Sequence, residues 1–212
     1  MWRHQVADLA LTHRVIVVDL PGHGTRAHEP FSFAASIDSL RRVIEREAGR
    51  AAVVVGSSLG GYVAMELATI HPEQVSGLVL VGASAEPRTV VRRAPFVAGG
   101  FMITTLAQAL LRRPVNLESG HEPNAAHGLF FRGYGWAIYE LLARSFSTRL
   151  ATYGGPTLII NGEHDRLFHR EQDHFRTACS GQLIVVPDSG HRVNEERSEH
   201  FNRLLERFSG SL

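Results

Sequence analysis

One short run of the chain places a serine where a nucleophile would need it. Gly56-Ser57-Ser58-Leu59-Gly60-Gly61 follows the apolar run Ala51–Val55 and opens a helical pattern that reaches about Ile70. The spacing Gly-x-Ser-x-Gly fits in one register only. With Ser57 as nucleophile, glycines would be required where Val55 and Leu59 stand, so the pattern selects Ser58. A serine between strand and helix sits in strained backbone, and Gly56 and Gly60, two before and two after it, are expected to let the elements close together. Ordinary glycine and serine usage would produce such a match by chance in roughly one chain in ten of this length, so its context between strand and helix carries the weight. A phosphate-binding loop on the same turn would need a lysine, and the chain has none: all 22 of its basic side chains, histidine aside, are arginines.

A serine hydroxyl attacks a carbonyl only when a base removes its proton, and the base needs an orienting carboxylate. Of the 12 histidines, His4, His13, His71 and His200 lie in polar or helix-flanking contexts that read as solvated surface. His191 stands apart. It ends Pro187-Asp188-Ser189-Gly190-His191, directly after the apolar run Leu183–Val186, and the carboxyl ends of strands are where open α/β sheets gather their sites. The carboxylate is expected in the turn after the preceding strand, Asn161-Gly162-Glu163-His164-Asp165, and Asp165 is the choice. Glu163 falls inside that turn, and Asp188 lies only three residues before the base it would have to orient. With Ser58 as nucleophile, His191 as base and Asp165 as its partner, the Leu59 backbone N–H would meet the oxyanion. His164, His169 and His174 recur every five residues, a spacing that turns side chains onto different helix faces, so no metal site is expected.

These residues need a scaffold. Apolar runs at Val15–Leu20, Ala51–Gly56, Gly77–Val81, Thr157–Ile160 and Leu183–Val186 alternate with helical stripes at Ile37, Leu40 and Ile44, at Val63, Leu67 and Ile70, and at Phe201, Leu204, Leu205 and Phe208. Runs rich in Val and Ile without polar alternation predict parallel strands covered on both faces, and the alternation predicts an α/β fold. The stretch 86–149 breaks the rhythm. It reads as a helical lid inserted between core segments 1–85 and 150–212, with a Gly- and Pro-rich loop at Arg112–Gly135 over the site, and with Phe130 and Trp136 as candidate substrate contacts. A net charge of +1, with 44% apolar and 20% charged residues, gives no reason to expect a nucleic-acid or membrane-surface partner. A small-molecule substrate is expected. The single Cys179 and the absence of an apolar leader or an 18-residue apolar run point to a cytoplasmic protein, and no cofactor is expected.

Taken together, these landmarks resemble the α/β-hydrolase superfamily of single-domain esterases, lactonases, perhydrolases and carbon–carbon bond hydrolases. Val17-Val18-Asp19-Leu20-Pro21-Gly22-His23-Gly24 is similar to the family's strand and turn before the nucleophile, Gly56–Gly61 to its elbow, and Ile159–Asp165 with Ser189-Gly190-His191 to its acid and histidine turns. The order serine, acid, histidine is also that of the family. A serine at the elbow argues against the haloalkane dehalogenase and epoxide hydrolase branches, which use aspartate there. The resemblance implies an α/β-hydrolase fold and a serine hydrolase acting on a carboxylic ester or a related acyl or carbon–carbon bond. It also implies that strands and a His-Gly oxyanion loop of the family precede Met1, that Met1–Ala10 is the helix after that loop, and that the chain as given is impaired. Two other readings stand beside it: a noncatalytic ligand-binding protein on the same scaffold, told apart by ester turnover, and an inactive fragment from a mis-called start, told apart by the upstream codons.

Overall fold

The computed structural model describes residues 1–93, 139–166, 168–169 and 171–212. In chain order the helices and strands are α1 (Arg3–Leu9), α2 (Phe33–Glu47), β1 (Ala52–Ser57), α3 (Leu59–Ile70), β2 (Val75–Val81), α4 (Pro87–Arg93), α5 (Phe146–Leu150), β3 (Thr157–Gly162), α6 (Gln172–Ala178), β4 (Gln182–Val186), α7 (Val193–Glu196) and α8 (Ser198–Ser209). Residues 139–142 are also helical. Helix α1 falls where the resemblance places one. None of the described helices is long and apolar enough to cross a membrane.

Two compact units are present, one formed by Met1–Val17, Leu40–Glu86 and Ser145–Leu212, the other by Val18–Ser39 and Pro87–Arg144. The first holds a four-stranded parallel sheet, among the described residues, in the order β1-β2-β3-β4. Successive strand residues face opposite sides. Val79, Val81, Leu158 and Ile160 join Val193, Phe201, Leu204, Leu205 and Phe208 in one core cluster, while Leu78, Leu80 and Ile159 are as fully buried on the other side. Both faces are therefore covered, which is why the runs Gly77–Val81 in β2 and Leu158–Ile160 in β3 are apolar rather than alternating. The stripe on α8 is buried at all four predicted positions; that on α3 is buried at Val63 and Leu67, with Ile70 half exposed.

One expected strand is not there. Val15–Leu20 joins no ladder, and no backbone N–H of residues 14–20 finds a partner among the described residues. Ile16 and Val17 are 40% and 50% exposed. The physical reason is the lack of a neighbour: β-propensity lies in the side chains, but a strand exists only where another backbone completes its hydrogen bonds. Among the described residues, strand β1 pairs on one side only, with β2.

In the second unit, Asp19 organises the turn that follows it. Its carboxylate accepts from Thr25 N and Oγ1, both at 2.9 Å. Gly24 has φ +51°, and an added Cβ would lie 2.3 Å from Asp19 Oδ2, so only glycine fits. Burial holds the His23 imidazole below its ordinary range, against the opposing effects of its bond with the Pro21 carbonyl and of nearby Asp19. Arg26 bridges Glu29 and Ser39. The predicted lid is described only at its ends; Phe130, Trp136 and the whole loop Arg112–Gly135 lie outside the described residues.

Candidate active site

Strand β1 ends at Ser57 and helix α3 begins at Leu59, leaving Ser58 as the single residue of the turn. Its backbone is at φ 51°, ψ −118°, a left-handed geometry that a non-glycine residue adopts only when its surroundings impose it. Three bonds impose it here. Ser58 N–H donates to Val81 O at 2.9 Å, and Ser58 O accepts from Gly61 N at 2.9 Å and Tyr62 N at 3.3 Å. Neither the Leu59 nor the Gly60 N–H is donated to another group of the described residues, so the amino terminus of the 12-residue α3 presents unpaired donors beside the serine.

The close approach of the two elements is only partly where the spacing predicts it. A Cβ on Gly56 would lie 2.3 Å from Gly60 O, as expected, but a Cβ on Gly60 would meet nothing within 4 Å. The crowded position on the helix is Gly61, whose added Cβ would stand 2.4 Å from Ala83 Cβ. Among the described residues Gly60 has open space beside it, so none of them requires a small residue there.

The acid and histidine loops come together at the carboxyl ends of β3 and β4. Gly162 passes so close to Gly190 that an added Cβ would be 2.1 Å from its carbonyl oxygen, and His164 N–H donates to Ser189 O at 2.8 Å. Across this junction Asp165 Oδ2 stands 2.7 Å from His191 Nδ1. The Asp165 side chain is 4% exposed and that of His191 40%. A carboxylate can only accept, so a neutral His191 bonded to it would carry its hydrogen on Nδ1 and leave a lone pair on Nε2. Glu163 and Asp188, the rival carboxylates, point elsewhere: Glu163 accepts from Asp188 N at 3.1 Å, and Asp188 pairs with Arg197 at 3.4 Å. With His164 they form an exposed group whose ligand-type atoms all lie within 4.8 Å. His169 Nε2 is 2.7 Å from Gly162 O.

Ser58 and the pair Asp165–His191 meet through the end of β2. Val81, the residue that receives the Ser58 N–H, is followed by Gly82, whose N–H donates to Ile160 O at 3.2 Å. An added Cβ on Gly82 would lie 2.8 Å from His191 Cε1 and Nδ1 and 3.3 Å from Asp165 Oδ2. The imidazole therefore rests on Gly82, one residue from the carbonyl that anchors Ser58. No hydrogen bond joins Ser58 Oγ to His191 Nε2 in this arrangement; such contacts are often long before substrate binds.

Two further residues support the site without a signal in the nucleophile, acid and histidine spacing. Glu196 accepts from Gly190 N at 2.6 Å and Arg192 N at 3.2 Å, gripping the backbone on both sides of His191. Tyr62 OH donates to Ala85 O at 2.6 Å, and burial pushes its phenol well up. If the grip of Glu196 aims the histidine, Glu196→Ala lowers kcat by about tenfold at an unchanged KM; steady-state kinetics on one ester check this, and an unaltered kcat would assign Glu196 to the surface alone.

A model of the alpha/beta hydrolase family matches residues 1–203. The chain belongs to that family. As a hydrolase it is similar, at 27% identity over 96% of its length and 84% of the other protein, to a putative carbamate hydrolase, RutD, of Klebsiella pneumoniae strain 342. A shorter stretch, 40% of this hydrolase and 32% of the relative, is 42% identical to the pimeloyl-[acyl-carrier protein] methyl ester esterase of Vibrio vulnificus strain CMCP6. Among solved structures, the N-acyl homoserine lactone degrading enzyme Est816 superimposes with a TM-score of 0.74 over 98% of this hydrolase and 87% of that chain, at 26% identity. The parallel sheet flanked by helices is accordingly the alpha/beta hydrolase fold, and the protein is an enzyme of hydrolase type.

Proposed function

We propose that this hydrolase cleaves a carboxylic ester, or a closely related acyl bond, of a small molecule through an acyl-enzyme on Ser58. The observation that carries the reading is the seat of His191: Nδ1 at 2.7 Å from a buried Asp165 carboxylate, with the ring against Gly82 and so beside the strained Ser58 turn. In the proposed sequence His191 Nε2 takes the proton of Ser58 Oγ as Oγ bonds to the carbonyl carbon. Charge then develops on the carbonyl oxygen, and the free Leu59 N–H donates to it. The intermediate collapses, the leaving group departs with the proton held on Nε2, and a water activated by the same nitrogen releases the acid. Asp165 keeps the Nδ1 hydrogen in place and offsets the imidazolium charge throughout.

The relatives' printed substrates, a carbamate, a methyl ester and a lactone, have in common an acyl carbon bearing a heteroatom leaving group, and the proposal takes that class for this chain. The segment 86–149, with Phe130 and Trp136, is proposed to set which acyl group enters, because insertions above a site shape its pocket while the core holds the chemistry. Turnover of p-nitrophenyl acetate, measured alongside a short series of methyl esters, lactones and carbamates, tests the reading. Hydrolysis of at least one series with burst kinetics is expected; no turnover of any acyl substrate by the folded protein would overturn it and favour a ligand-binding role.

A further inference from the structure

His191 is confined from three directions, and the serine, acid and histidine roles account for only one. Asp165 Oδ2 holds Nδ1. The Cε1 edge lies against Gly82. The third contact is with a ring face: Phe168, 4% exposed, stacks on the imidazole with centroids 5.3 Å apart and planes 18° from parallel.

A single hydrogen bond at Nδ1 leaves the imidazole free to swing about the bond's axis, which would carry Nε2 away from Ser58. Phe168 against the ring face and Gly82 against the Cε1 and Nδ1 atoms limit that freedom. The stacking also acts on charge. A neutral imidazole over a phenyl ring gains mainly dispersion, whereas an imidazolium gains in addition from the negative face of the ring. The imidazolium exists only after Ser58 has given up its proton, so this attraction is stronger in the transition state than in the resting enzyme, the condition for raising kcat rather than lowering KM. The chain places Phe168 for this with a tight turn: Phe168 N–H donates to Asp165 O at 3.1 Å, so the acid and the stacking ring leave one turn toward the same histidine.

We propose that Phe168 is a positioning residue of this hydrolase, fixing the plane of His191 and favouring the imidazolium formed during acyl transfer. The proposal rests on Ser58 and His191 being the nucleophile and base. Phe168→Leu keeps an apolar side chain of similar bulk and removes the aromatic face, while Phe168→Tyr and Phe168→Trp keep the face. Kinetics with p-nitrophenyl acetate, normalised to active sites titrated with a fluorophosphonate, give kcat and KM for each.

The expected result is a fall of about tenfold in kcat for Phe168→Leu, with KM unchanged, and recovery toward the wild-type value in the two aromatic variants. A wild-type kcat in Phe168→Leu overturns the proposal. So does an equal loss in all three variants that follows their melting temperatures, which would make Phe168 a packing residue. Because Phe168 is buried, Phe168→Met serves the same comparison where the leucine variant does not fold. His191→Ala run in parallel separates the two readings: if it retains activity the base assignment fails, whereas an inactive His191→Ala beside a fully active Phe168→Leu removes only the role of Phe168.

Discussion

Ser58→Ala and His191→Ala are each expected to lower kcat for ester hydrolysis by about 10⁴- to 10⁶-fold, because the proposed nucleophile and base act as a unit and removing either leaves only binding and oxyanion contacts. The two losses do not add: the double variant is about as slow as either single one. Asp165→Asn costs less, about 10³- to 10⁴-fold, since the base survives in the wrong tautomer. Melting temperature should change little for Ser58→Ala, whereas His191→Ala takes the Nδ1 partner from the buried Asp165 carboxylate and is expected to lower it. Retention of more than about a tenth of the activity in Ser58→Ala, far outside the loss expected for a nucleophile, would mean that the nucleophile is elsewhere.

Gly82→Ala is expected to be the next most damaging single change, although it adds only a methyl group. The added Cβ would stand 2.8 Å from His191 Cε1 and Nδ1, inside the separation that carbon and nitrogen tolerate, so the imidazole must move. Asp165 cannot follow, because Oδ2 would itself lie 3.3 Å from the new methyl. Gly82 also has φ +54°, so alanine there costs about 1–3 kcal/mol of strain. The expected outcome is a fall of about 10²-fold in kcat, the usual consequence of misplacing a catalytic group by about 1 Å, together with a lower urea midpoint. Kinetics and urea unfolding on the same preparation check both. Full activity at reduced stability would show that His191 does not work from the seat it occupies against Gly82.

Much of this arrangement was legible in the sequence, for reasons that differ from residue to residue. Strands β2 and β3 are buried on both faces, so their apolar runs were unbroken and easily read. Ser58 was fixed by two glycines and one register. Asp165 and His191 were chosen from position alone, each in the turn after a strand; the 2.7 Å contact joins those two and neither rival carboxylate, while their roles remain a proposal. What escaped was whatever depends on how one strand lies beside another. Gly82 matters because the parallel register sets Ser57 opposite Val81, and Phe168 because a turn aims it back at a residue 23 positions later; no local spacing encodes either. Gly61 was missed as the crowded position because Ala83, which it faces, lies just past the carboxyl end of β2, outside the local motif. Val15–Leu20 was read as a strand from its β-branched residues, and that reading failed because propensity does not supply a partner.

Ser58, activated by His191, is proposed as the residue that becomes covalently bound to the acyl group. Reaction of the intact protein with a fluorophosphonate, followed by peptide mapping, tests it most directly. A single label on Ser58 is expected in the wild-type protein, with loss of that label in His191→Ala under the same conditions. A label on any other serine, or no label in a preparation that hydrolyses p-nitrophenyl acetate, would contradict it.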